Sequence, residues 1–286
     1  MSILGFIRDL IIATFSQMVS LFGGIVLFGL LIHFISRLSF ETLVRAFGRK
    51  GTYLVAWLGT PIHELGHAIF CLIFAHKITD IAFFKPDPLT GTLGYVYHKW
   101  NRSNPWQLLG NFFIGIGPII LGCVALLATF YFLIPKSSQA WDSILILVNE
   151  VDQDNSIGSY LAILGGSAFL MLKVVFTLSN LTDWKFWVFF YVSICIASNI
   201  RLSPSDLKGA LSGLGCVILP FLVINLLGLL SGLGSDKFFP LTASSLGVVF
   251  GLFVLALVMA LLGFVLTYVV CATYIKVRRG YLLKPF

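Results

Sequence analysis

Residues 53–74 read YLVAWLGTPIHELGHAIFCLIF, and this stretch decides how the chain is built. Two patterns lie on top of one another here. The flanks, Tyr53 to Leu58 and Ala68 to Phe74, are apolar enough to predict a membrane-spanning helix from about Thr52 to Phe74. At its centre stands His63-Glu64-Leu65-Gly66-His67. On a helix, residues at i and i+4 share one face, so both imidazoles can reach a single zinc ion. Glu64 then becomes a candidate general base for a metal-activated water. The pattern is short, and its bland reading is that the three groups only hydrogen-bond neighbouring helices. The apolar setting favours the functional reading, because ionisable groups inside a bilayer are costly and mark functional sites.

The rest of the chain fits a membrane protein. It has 286 residues, 58% of them hydrophobic and 11% charged, with a mean hydropathy of +0.97. Soluble domains are about 25% charged. The formal net charge of +7 does not point to nucleic acid. Arg45, Arg49, Lys50, Lys276, Arg278 and Arg279 read as membrane-flanking charge for anionic head groups. Cys71, Cys123, Cys195, Cys216 and Cys271 lie in apolar stretches without a Cys-x-x-Cys pair, and read as reduced, buried small hydrophobes.

Hydropathy therefore predicts an all-α polytopic membrane protein with about six transmembrane helices. The spans run from about Leu10 to Ile35, Thr52 to Phe74, Trp106 to Ile134, Trp184 to Ile200, Leu211 to Leu233 and Leu246 to Ile275. Between the second and third, Pro86, Pro88, Gly91 and the β-prone run Thr92 to Tyr97 predict a short membrane-associated β-hairpin. Asp142, Glu150, Asp152 and Asp154 mark a polar loop. Ile157 to Leu178, with Gly165, Gly166 and Lys173, reads as interfacial or re-entrant. Three regions follow: 1–50, an N-terminal transmembrane helix and linker; 51–213, a catalytic membrane core; and 214–286, C-terminal transmembrane helices with a basic tail. The expected location is multi-pass in the cell membrane, with the lipid bilayer as constant partner. The oligomeric state is left open.

A catalytic zinc usually takes three protein ligands and a water. Phe70 and Ile73 stand where the metzincin pattern needs Gly and His. Asp206, between the fourth and fifth spans, is the leading candidate for a third metal ligand. Ser203-Pro204-Ser205-Asp206 is also a good helix start, so ligand and cap stand as alternatives. His98 and Asp183 are the next candidates, and His33 a remote one.

Taken in order, these landmarks resemble the site-2 protease family of intramembrane zinc metalloproteases. His63 to His67 matches the first motif. Gly94-Tyr95-Val96 is similar to the Gly-Tyr-Val of that family's membrane-associated hairpin. Asn111 to Pro118 is similar to the next core helix, and Asn199 through Asp206 to Gly209 to the third motif. The likeness covers roughly Leu54 to Gly213. It departs where Leu207 and Lys208 separate Asp206 from Gly209, which marks a divergent branch.

The resemblance implies an intramembrane zinc endopeptidase whose substrate is a transmembrane segment of another protein. It assigns Zn2+ to His63, His67 and Asp206, and the general base to Glu64. Asn111, Asn199, Gly94 and Tyr95 are the candidate substrate-binding residues. Interhelical hydrogen bonding is an equal reading for the two asparagines. The rival from another class is a catalytically inactive scaffold or transporter-like protein with the same fold. A prenyl-protein protease would need a downstream glutamate, and only Glu150 is present.

Overall fold

The computed structural model describes residues 3–151, 157–231, 243–281 and 283. It is a helical bundle carrying one small sheet. The helices are α1 (Ile3–Met18), α2 (Gly24–Phe47), α3 (Tyr53–Ile73), α4 (Pro105–Leu133), α5 (Ser137–Val151), α6 (Ile157–Val175), α7 (Leu178–Leu181), α8 (Trp184–Ala197), α9 (Pro204–Leu230) and α10 (Ala243–Arg279). A π-helical turn, Val19–Gly23, joins α1 to α2, so the first apolar segment runs unbroken from Ile3 to Phe47, well beyond the expected limits.

Among the described residues, four helical segments are long and apolar enough to cross a membrane: Ile3–Phe47, Pro105–Leu133, Pro204–Leu230 and Phe253–Arg279. Many of their large apolar side chains face outward, as Phe34, Phe132 and Leu219 do, which suits a lipid solvent. The two remaining expected spans are shorter. At 1.5 Å per residue, the 21 residues of α3 reach about 31 Å, and the 14 of α8 only about 21 Å. The hydrocarbon core is about 30 Å thick.

Helix α3 sits in the interior, packed between α4 and α8, while α4 also packs along α9. Asn225 on α9 is fully buried and donates to Thr14 Oγ1 and Gln17 Oε1 of α1, at 3.2 and 2.8 Å. A helix of 27 residues in an apolar setting gains register from such a polar clamp.

At the end of α3, Ala75 adopts φ 54° and swings the chain into β1 (Lys77–Ala82). Strand β2 (Tyr95–Lys99) returns antiparallel, pairing Ala82 with Tyr95 and Lys77 with Lys99. The hairpin is present, though its second strand starts three residues later than the run at Thr92 suggested. Arg49, in the α2–α3 link, holds the hairpin tip by donating to the carbonyls of Pro88 and Leu89.

One expected loop is helical. Ser137–Val151 forms α5 although Asp142 and Glu150 lie in it. Ser137, Ala140 and Ile144 are buried, spaced by three and four residues, so one face meets the core and Asp142 stays on another. Ile157–Val175 is a continuous helix packed on α5 and α10. Asp152, Asp154 and the end of the fifth span at Leu233 lie outside the described residues.

Candidate metal and catalytic site

Helix α3 presents His63, Glu64 and His67 to a cavity of about 720 Å³. Asp206 enters from the first turn of α9. Its Oδ1 lies 3.3 Å from His67 Nε2, and its Oδ2 3.8 Å from His63 Nε2. One ligand atom from each of the three residues falls within 4.8 Å of the others. A tetrahedral ion about 2.0–2.2 Å from nitrogen and oxygen ligands fits that spacing.

The imidazoles are oriented by backbone. His63 Nδ1 lies 2.9 Å from the carbonyl of Asn199, and His67 Nδ1 lies 2.8 Å from the carbonyl of Ile114. A carbonyl only accepts, so both Nδ1 atoms carry the proton. Both Nε2 lone pairs are thereby left for a metal, since a backbone carbonyl on Nδ1–H fixes the tautomer of a ligating histidine. The donor set of two neutral imidazoles and one carboxylate suits zinc chemically.

Each orienting contact depends on a close helix crossing. A Cβ at Gly59 would sit 2.1 Å from the Cys195 carbonyl oxygen, so only glycine lets α8 bring the Asn199 carbonyl to His63. A Cβ at Gly66 would meet Gly117 and Pro118 backbone at 2.8 Å. There α4 passes close enough for the Ile114 carbonyl to reach His67. Gly115 does the same for α9, since its Cβ would stand 2.5 Å from the Asp206 carbonyl oxygen.

Asp206 is both cap and site residue. Ser203 is the N-cap of α9 and Pro204 its first residue. Asp206 Oδ2 accepts from Ser203 N–H at 2.7 Å, and Ser203 Oγ accepts from Asp206 N–H at 3.2 Å. This capping box fixes the carboxylate rotamer, and it leaves both oxygens facing the histidines.

Glu64 is buried and lines the cavity, and among the described residues its carboxylate has no protein hydrogen bond recorded. Gly94 lets the hairpin lie against it, because a Cβ there would be 2.9 Å from Glu64 Cγ. Tyr95 lines the same cavity, but its hydroxyl donates to Asp80 Oδ2 at 3.0 Å. The two asparagines part ways. Asn199 is committed to packing: its amide nitrogen donates to the Cys195 and Val55 carbonyls at 2.9 and 3.3 Å, and its Oδ1 accepts from Thr60 at 3.3 Å. Its side chain makes the interhelical bonds that were the equal reading, while its carbonyl faces His63. Asn111 keeps a buried Nδ2 without a hydrogen-bond partner, on the cavity wall.

The reserve ligand candidates do not join the group formed by His63, His67 and Asp206. His98 also lines the cavity, but its Nδ1 is 3.0 Å from His76 Nδ1, and His76 Nε2 lies 2.7 Å from the Gln107 carbonyl. Burial, followed by the neighbouring His76 and His67, pushes His98 down to about 4. Asp183 caps α8 by accepting from Lys185 N–H. Glu150 lies on α5, and its side chain is outside the described residues. His33 joins the cavity wall from α2, together with Arg201 from the α8–α9 link. His33 was a remote ligand candidate in the sequence, whereas Arg201 was not singled out, because an arginine is not a zinc ligand.

Compared with protein-family models, with curated proteins and with solved structures, the chain matches none of them. The functional argument therefore rests on the site itself.

Proposed function

We propose that the chain is a multi-pass membrane zinc endopeptidase that cleaves transmembrane segments of other proteins. The observation that carries the reading is the pair of imidazoles held by two backbone carbonyls, with their Nε2 atoms converging on Asp206. A pair of histidines serving only as interhelical glue has no need to leave both Nε2 atoms beside a carboxylate at a cavity wall.

His63, His67 and Asp206 hold the ion. Bound there, zinc supplies Lewis acidity, activating water and polarising the scissile carbonyl. Glu64 takes a proton from the attacking water and delivers it to the leaving amine nitrogen. Asn111 offers its free Nδ2 to a substrate carbonyl. The substrate lies extended along β2, whose outer edge is open to backbone pairing, as in strand addition. A transmembrane helix must unwind to be cut, and pairing with β2 replaces the hydrogen bonds it gives up. In this reading α3 and α8 complete six spans. The cell membrane is the proposed location.

The test is Glu64→Gln in reconstituted protein. The amide keeps size and loses basicity, so zinc content should match the parent while cleavage of a transmembrane substrate disappears. Parent-level cleavage by the variant would remove Glu64 from the mechanism.

A further inference from the structure

Among the described residues lining the cavity, Arg201 is the one arginine or lysine, and the proposed chemistry leaves its role open. It lies two residues beyond Asn199, and the Asn199 carbonyl accepts from both His63 Nδ1 and Arg201 N–H, each at 2.9 Å. Arg201 lines the cavity and is partly buried. It rests on the Phe40 ring, 4.2 Å from the centroid. Among the described residues no carboxylate forms an ion pair with it. Phe40 and His33 lie seven residues apart on α2, hence on one face, and Ser36 between them ties α2 to the Ala197 carbonyl at 3.0 Å. That face holds Arg201 in place without neutralising it.

The charges on the cavity wall sharpen the point. Among the described residues, Glu64 and Asp206 are the only acidic ones lining it. A bound dication would be balanced by those two carboxylates, because both imidazoles are neutral in the tautomer described above. The guanidinium then remains as one uncompensated positive charge, a costly arrangement in a half-buried apolar setting. His33 Nδ1, on the same wall, is buried without a hydrogen-bond partner. An anionic group entering the cavity would answer both deficits.

We propose that Arg201 is a specificity-determining residue that binds a carboxylate of the substrate, carried on an acidic side chain near the scissile bond or at the peptide's own end. This rests on the endopeptidase reading. The planar guanidinium presents a fork of N–H donors that matches a carboxylate bidentately, which a lysine ammonium does not. Phe40 behind it fixes the plane of the fork.

The experiment measures binding apart from turnover. Zinc-loaded Glu64→Gln protein in phosphatidylcholine nanodiscs is titrated with three labelled hydrophobic peptides. One has a central Glu and an amidated end, one a central Gln and a free acid end, and one a central Gln and an amidated end. The proposal expects one carboxylate peptide to bind about tenfold tighter than the neutral one, as for a charge-assisted pair worth about 1.4 kcal/mol. Which peptide gains identifies the source of the carboxylate. Adding Arg201→Gln should erase the difference and Arg201→Lys should restore part of it, whereas Lys208→Ala, an exposed cation outside the cavity, should leave it intact. Equal binding of all three peptides overturns the proposal, and so does a preference that survives Arg201→Gln. The same holds for a preference that anionic phosphatidylglycerol abolishes while Arg201 is intact, since the site would then hold a lipid head group. The peptides are also offered to the parent with Glu64 intact. Discriminating binding without cleavage would defeat the endopeptidase reading and leave the carboxylate site standing. Cleavage without discrimination would do the reverse.

Discussion

Gly66→Ala should uncouple metal affinity from stability. The added Cβ would lie 2.8 Å from Gly117 C and O and from Pro118 Cα, all backbone of α4. Carbon atoms in comfortable contact are about 3.5–4.0 Å apart, so α4 must recede by about 0.7 Å or more. Ile114 is on the preceding turn of α4 and moves with it. Its carbonyl, now 2.8 Å from His67 Nδ1, would then lie about 3.5 Å away, at the edge of a hydrogen bond. Overpacking of this kind costs about 1–3 kcal/mol. Alanine recovers about 0.5–1 kcal/mol of that by favouring the helix. Losing the partner that orients a ligating histidine costs about 10–100-fold in metal affinity. The metal-free variant should therefore lose no more than about 2.5 kcal/mol of stability, while its zinc Kd, measured by chelator competition, rises at least about tenfold. Gly165→Ala is the control, because nothing lies within 4 Å of a Cβ there, and it should leave zinc affinity unchanged. A Gly66→Ala protein that binds zinc within about twofold of the parent would refute the claim that the α3–α4 crossing orients a ligand.

Asp206→Asn should lower zinc binding sharply yet change stability by less than about 1 kcal/mol, since an amide oxygen at the third helical position still accepts from Ser203 N–H but is a poor zinc ligand. Normal zinc content in that variant would return Asp206 to a purely capping role. The hairpin should loosen in acid. The folded hairpin lowers His98 to about 4 and also lowers His76, both chiefly by burial, so the unfolded strand binds more protons below about pH 6.5. Its stability is then complete above that pH and falls as pH drops toward about 4. Hydrogen exchange of the Tyr95 to Lys99 amides should accelerate across that window, and a flat profile would mean that these histidines do not couple to docking of the strands.

The parts of the site that follow from periodicity were legible in the sequence. His63 and His67 share a face because a helix turns every 3.6 residues, and the hairpin was announced by prolines, glycines and a β-prone run. What periodicity could not carry was the identity of the groups behind the ligands. The Asn199 and Ile114 carbonyls belong to the backbone and leave no side-chain signal. Gly59 and Gly66 hint at close crossings but do not say which helix arrives. Asp206 posed a choice between ligand and cap that dissolves in three dimensions, because a carboxylate can accept from Ser203 N–H and still face two imidazoles. Asn199 went the other way, its amide wholly occupied by α3 and α8. Helix α5 was misread because acidic residues suggested solvent, although Ser137, Ala140 and Ile144 already had helical spacing.

The most direct measurement is the metal content of purified, detergent-solubilised protein, determined by mass spectrometry for the parent, His63→Ala and His67→Ala. The account predicts about one zinc per chain in the parent and little in either variant, because the remaining donors cannot complete a three-ligand site. A parent that holds no zinc when supplied with it, or zinc retained in full by both variants, would contradict the account.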